Sequence, residues 1–328
     1  MHDPWKKLAF KGAVGALLFV MANVIVYYSS GFFQRERHYH QTVAELFGKP
    51  EVSVILMGDS HVAEIPDELL AANAHNLAAG GDGYREIYAK LRYVLAGSQN
   101  IRTLLLTADY HMFGAGRVQS SNRSFVERYL LATRSGAGYE KNWLSSLFNL
   151  VPLFNDDFVQ YLKKDVREAL RRPRQHSDGV ATVWADLPEA TREERALRTG
   201  RGDHAGVGAA KQPIYWFEQI LDLARQHDID VILVRYPTSA GYLAQIPADG
   251  KEIVDGHLAR MAAPAVVDLG HALGEPAYFA DEDHVNDRGA AVLLCHLEER
   301  TTLHLGGTSS RQKCSLSAAR GHIERGSP

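Results

Sequence analysis

The chain has 328 residues, 45% hydrophobic and 23% charged, with a formal net charge of −3 and two cysteines. That length allows one large domain or two ordinary ones with a substantial core, and 9% aromatics exclude a chain disordered throughout. Near-neutral charge argues against a nucleic-acid binder, and two cysteines cannot staple a small disulfide scaffold or fill a Cys-rich zinc module.

Charged residues are spread along most of the chain, but Gly12 to Phe33 holds none. The run is long enough to cross roughly 30 Å of hydrocarbon, with Asn23 the only strongly polar side chain in its middle. Lys6, Lys7 and Lys11 precede it, and Trp5, Tyr27 and Tyr28 stand where interfacial aromatics are expected. Residues 1–33 therefore read as an anchor that leaves the rest of the chain outside the cytoplasm, at a periplasmic or cell-surface site. Arg35 and Arg37 oppose that orientation, and a signal peptide cleaved near Ser29-Ser30-Gly31 is the rival. Residues 34–50, polar and without strong pattern, read as a stalk.

From residue 51 short apolar runs alternate with helical stripes. Val52–Met57, Thr103–Ala108, Val231–Tyr236 and Ala265–Leu269 read as buried strands. Helices are predicted from Tyr84 to Gly97, around Ile214–Ala224, over Lys251–Met261 and over Asp287–Arg300. The alternation predicts an α/β fold with a parallel sheet covered on both faces, over residues 51–305. An insertion at about 112–211 interrupts it and is expected over the open end of the sheet. Within it, Lys163–Arg174 is a basic stretch, read as a solvated helix face rather than a lipid-binding one. Residues 306–328 read as a disordered tail, which argues against a disulfide between Cys295 and Cys314.

Three segments that carry chemistry fall at strand ends, where open α/β sheets place their sites. Gly58-Asp59-Ser60-His61 follows the first strand, and a serine on such a turn exposes its hydroxyl and offers its N–H to an oxyanion. Asn76 to Gly83 is a glycine-rich loop before a helix, whose N–H groups can face developing negative charge. In Asp281-Glu282-Asp283-His284 the histidine can take the serine proton while the aspartate holds its other ring nitrogen. Each alone is more often structural; their order and placement make the joint case. The remaining histidines lack metal-ligand spacing, so no zinc site is expected, although His111 beside a strand end can support the site.

With these blocks the sequence resembles the SGNH (GDSL-type) hydrolase superfamily over roughly residues 50–305, insertion excluded. The resemblance implies a flavodoxin-like parallel sheet flanked by helices, with Ser60 as nucleophile, His284 as base and Asp281 as its orienting acid. It also implies Gly81 as a backbone oxyanion donor, in a block opened by Asn76, which is grouped with the oxyanion side. Asp109 stands where the family has a donating Asn, and an ionised carboxylate cannot donate. Either another group completes the oxyanion hole, or Asp109 has a different role, or the alignment is off there.

Together with the anchor, the chain resembles membrane-bound extracytoplasmic members such as those of D-alanyl transfer and alginate O-acetylation. That implies a serine esterase or O-acyltransferase acting on a cell-envelope glycan or a small acyl ester. The same resemblance points to a membrane-bound acyl-transfer partner, and no cofactor, metal or nucleic acid is required. Two alternatives stand beside this. One is a non-catalytic scaffold that binds a glycan or an export-complex partner; the other is a metallophosphoesterase using Asp59 and His61.

Overall fold

The computed structural model describes residues 4–118, 120, 122–133, 151–171, 183–261 and 264–308. The chain divides into two compact units, Met1–Gln41 with Asn122–Ser177, and Thr42–Ser121 with Asp178–Pro328.

In the first unit, helix α1 (Pro4–Ser29) contains the charge-free run. Its stretch Lys7–Ser29 is long and apolar enough to span a membrane, and nearly all of it is exposed. After a break at Ser30 comes α2 (Gly31–Phe47), so the expected stalk is a helix. Up to Gln41, where this unit ends, Phe32, Phe33, Glu36 and Tyr39 are buried along it at helical spacing, a stripe hidden in the sequence by the intervening charged and polar residues. Phe32 and Phe33 pack on Phe158, and Phe32 and Tyr39 on Phe125, with ring centroids 4.9–5.7 Å apart. Glu36 accepts from Arg128 at 2.7 Å. The inserted segment thus contributes helices α5 (Glu127–Ala132) and α6 (Asp156–Arg171) to this unit. The end of the basic stretch, from residue 172, lies outside the described residues.

The second unit is a five-stranded, all-parallel sheet in the order β2-β1-β3-β4-β5, a doubly wound arrangement. Its strands are β1 (Val54–Met57), β2 (Ala74–Asn76), β3 (Thr103–Thr107), β4 (Asp230–Arg235) and β5 (Val266–Asp268). Four match the apolar runs; β2 does not, because Ala-His-Asn has neither β-branched residues nor length to signal a strand. Val54, Leu56 and Leu105 pack with Ala290, Leu293, Leu294 and Leu297 of the closing helix Asp287–Arg300, called α11 below. Ile55, Leu104 and Leu106, one residue out of phase, face the other way and are fully buried. There α4 (Tyr84–Gly97) packs on α8 (Lys211–Gln226), with Tyr84 and Phe217 centroids 5.0 Å apart.

The remaining helices of this unit are α3 (Ser60–Ala63), α7 (Glu189–Asp203), α9 (Ala240–Leu243) and α10 (Ala248–Arg260). The insertion is therefore not one element: its part 183–211 belongs with the sheet, and 122–171 with the N-terminal helices. Two further expectations are corrected. Gly306 bridges Leu70, and Gly307 N–H donates to Leu69, so the tail begins later than 306. Cys295 is engaged in a disulfide; the other cysteine, Cys314, lies outside the described residues.

Candidate active site at the carboxyl ends of the strands

β1 runs into a turn that requires glycine. A Cβ on Gly58 would lie 2.3 Å from Val62 Cγ2 and 3.1 Å from the Thr107 side chain. We expect Gly58→Ala to cost about 1–3 kcal/mol by overpacking, read as a lower denaturant midpoint. The chain then enters α3, with Ser60 as its first residue and Asp59 as its cap, accepting from His61 N–H at 3.3 Å. Among the described residues the N–H of Ser60 has no hydrogen-bond partner, as befits a first-turn donor.

The glycine loop follows β2 and passes beside Ser60: a Cβ on Gly80 would sit 3.7 Å from Ser60 Cβ. Asp82 N–H donates to Ala79 O at 3.0 Å, closing a turn in which Gly81 has φ +87°. That is the third position of a type II turn, a left-handed conformation that selects glycine. Gly81 N–H also has no partner among the described hydrogen bonds. Asn76 has a different task from the one expected. Its amide donates to Val62 O (2.7 Å) and Ile65 O (2.8 Å), and its oxygen accepts from Ala78 N–H. These bonds hold the end of α3 in place and leave the amide no donor for an oxyanion.

The loop before α11 is closed by a hydrogen bond from Ala280 N–H to His284 O, and Asn286 caps the helix. Asp281 Oδ1 accepts from the N–H groups of Asp283 and His284, so the carboxylate is fixed by its own turn. It meets His284 Nδ1 at 2.9 Å and 3.0 Å through its two oxygens. Burial raises the Asp281 carboxyl, but the bond to His284 and its charge outweigh this and bring it to about 2. His284 responds in the opposite sense. Burial favours the neutral ring, yet the Asp281 bond and the charges of Asp283 and Asp281 raise it above its ordinary value. Its Nε2 is buried without a partner, and no hydrogen bond joins it to Ser60 Oγ among the described residues. The acid–base pair is thus assembled, and the serine–base hydrogen bond is not.

The part that sequence reasoning did not foresee is a buried charge cluster beneath these loops. His61, 3% exposed, contacts Asp109 Oδ2 through Nδ1 at 2.8 Å and Asp283 Oδ2 through Nε2 at 3.5 Å. Burial lowers its affinity for a proton, but the Asp59 charge and the bonds to Asp109 and Asp283 raise it well above the usual histidine range. Asp59, fully buried, accepts from His111 Nε2 and Arg117 Nη2, each at 2.6 Å. Burial raises this carboxyl too, and the positive groups at His111, Arg117 and His61 hold it well below the carboxylate range.

Asp109 is an acceptor throughout. Besides His61, it takes Thr107 Oγ1 at 3.2 Å and Tyr236 N–H at 2.7 Å. Of the roles left open for it, the structure supplies a different one from oxyanion donation. It neutralises His61 and ties the ends of β3 and β4 together.

Although no metal-ligand spacing marks the histidines in the sequence, the fold does bring four ligand-type residues together. Asp59, His61, Asp109 and His111 each present a ligand-type atom, all within 4.8 Å of one another. D-x-H at the end of β1 and again at Asp109-Tyr110-His111 was the available signal; nothing marked Arg117. Beside this cluster opens a cavity of about 360 Å³, lined by His61, Asp109, His204, Arg235 and Tyr236 among others. Burial and the nearby positive charge of His111 lower His204 to about 4, so it is neutral.

Fold and site together define a doubly wound α/β protein with an aspartate–histidine pair and a half-buried turn serine at its strand ends. The chain matches no family model and no curated protein.

Proposed function

We propose that the chain is a membrane-anchored serine hydrolase or O-acyltransferase of SGNH type, with its α/β unit outside the cytoplasm. Its substrate class is an acyl ester of a cell-envelope glycan or a related small ester. The observation that carries this reading is the Asp281–His284 pair, whose Nε2 is buried and unpartnered at the sheet edge that also bears Ser60.

In this reading His284 Nε2 accepts the Ser60 proton as Oγ bonds to the ester carbonyl carbon. The N–H groups of Ser60 and Gly81 stabilise the resulting oxyanion. His284 then returns its proton to the leaving alcohol as the C–O bond breaks. Water or a sugar hydroxyl repeats the sequence on the acyl-enzyme, giving hydrolysis or transfer. The Ser60–His284 hydrogen bond has to form in the substrate complex, as catalytic hydrogen bonds often tighten only when substrate binds.

The test is labelling by a fluorophosphonate and hydrolysis of p-nitrophenyl acetate, comparing wild type with Ser60→Ala. Labelling vanishes in the variant and turnover falls at least about a thousandfold. Equal turnover in both proteins sinks the nucleophile assignment, and a wild type that neither labels nor turns over while binding glycan points to the scaffold.

One observation favours a second reading, a metal-dependent phosphoesterase: the N₂O₂ set of Asp59, His61, Asp109 and His111. Against it, these atoms already pair with one another, and Arg117 occupies the Asp59 oxygen that a cation would need. Stoichiometric metal in the purified protein, with metal-dependent phosphodiester cleavage, would promote this alternative.

A further inference from the structure

Asn23 is the one strongly polar side chain in the middle of the apolar run of α1, and it is only 9% exposed on an otherwise open helix. Its Nδ2 donates to Phe19 O at 2.9 Å, within the helix. Its Oδ1 accepts from the N–H of Leu153, at 3.0 Å, in a short 3-10 turn Pro152–Phe154 of the inserted segment. Phe154 packs on Phe19 with ring centroids 5.5 Å apart. Both rings remain open, Phe154 at 49% and Phe19 at 41%, beside exposed Val20 and Val24.

Nonpolar hydrocarbon offers no partner for a backbone N–H, so a non-helical segment can enter it only if its own polar groups are satisfied. The N–H donors of this turn are all satisfied. Pro152 has no N–H, that of Leu153 goes to Asn23, and those of Phe154 and Asn155 go to Val151 O and Pro152 O. Asn23 lies six residues before Ser29, the end of the apolar stretch, which at 1.5 Å per residue is about 9 Å into it. At the near end Tyr27 and Tyr28 hold the Arg37 guanidinium over their rings, the pairing expected at a headgroup boundary. Asp156, exposed at the start of α6, sets the limit on the other side.

We propose that the turn Pro152–Phe154 dips into the acyl-chain layer beside α1, with Asn23 as its anchor and lipid tails as the partner of Phe154. The insertion thereby gives the chain a second, shallow membrane contact in addition to the span. The inference rests on α1 lying in a bilayer and is independent of the Ser60 chemistry.

The experiment places the photo-crosslinker p-benzoylphenylalanine singly at positions 154, 18 and 215 of the full chain, in phosphatidylcholine–phosphatidylglycerol nanodiscs. Leu18, 60% exposed on α1, reports the span, and Tyr215, 44% exposed on α8, is the aqueous control. After irradiation, adducts to phospholipid acyl chains are counted by mass spectrometry. We expect position 154 to give at least five times the lipid adduct of 215, and Asn23→Leu to cut the yield at 154 at least threefold while leaving 18 unchanged.

Adducts at 18 with only background at 154 overturn the inference and leave the span standing; background at all three positions overturns both. A yield at 154 that is indifferent to Asn23→Leu overturns the anchoring role.

Discussion

On the proposed serine-hydrolase reading, Asp281→Asn is expected to lower kcat/KM for an acyl ester by roughly a thousandfold to ten-thousandfold, the scale seen when the orienting acid of a serine–histidine pair loses its charge. The reason lies in the two contacts between Asp281 and His284 Nδ1, which place the proton on Nδ1 and leave Nε2 as the acceptor. An asparagine in the same turn can present its amide to Nδ1 and favour the wrong tautomer.

The pH profile provides a second signature. In its proposed role as base His284 has to be neutral, and burial, which favours that form, is outweighed by the Asp281 bond and the charges of Asp283 and Asp281. In wild type the rising limb of kcat/KM therefore lies above the ordinary histidine value of about 6.5. Activity is lost as pH falls through it. Asp281, held at about 2, adds no limb near neutrality. In Asp281→Asn the limb moves to lower pH even as the plateau falls. A variant with an unchanged limb and an unchanged plateau would refute the assignment of the pair.

Asp109→Asn destabilises the fold by about 3 kcal/mol at pH 6, the scale of breaking one partner of a buried ion pair. Were Asp109 standing in for a donating asparagine, the same substitution would raise activity. Its environment predicts the reverse, because both carboxylate oxygens accept: one from Tyr236 N–H, the other from His61 and Thr107. An asparagine keeps one acceptor oxygen and turns an NH₂ group toward a donor.

The pH dependence has a definite sign. His61 binds its proton more tightly folded than unfolded, so its pairing contributes fully below about pH 6.5 and is lost as pH rises through the folded value. The gap between wild type and Asp109→Asn in chemical denaturation should accordingly narrow toward alkaline pH. A gap that stays constant or widens means that His61 is not the partner whose charge Asp109 balances.

Local pattern carried a large part of this protein. The apolar stretch long enough to cross a membrane shows in the sequence because its charge-free run is uninterrupted, and four of five strands because strands of a parallel sheet read as short runs rich in Val, Ile and Leu. The Asp281–His284 pair was legible for the same local reason: both residues sit in one four-residue turn, so spacing alone brings their side chains together. The α2 helix was missed because charged and polar residues intervene in its buried stripe, and β2 because three residues carry no periodicity.

What only the tertiary structure decided is the charge cluster and the division of the insertion. Asp59 and His61 follow β1, Asp109 and His111 follow β3, and Arg117 and Asp283 lie in two loops; parallel pairing of β1 with β3 is what places the first four side by side. No spacing in the chain encodes that adjacency. Likewise, nothing near Asn23 in sequence indicates that its carbonyl oxygen is taken by Leu153, 130 residues away. A buried polar group must find a partner, but which one it finds is set by packing across the fold, and so lies beyond what a linear pattern can show.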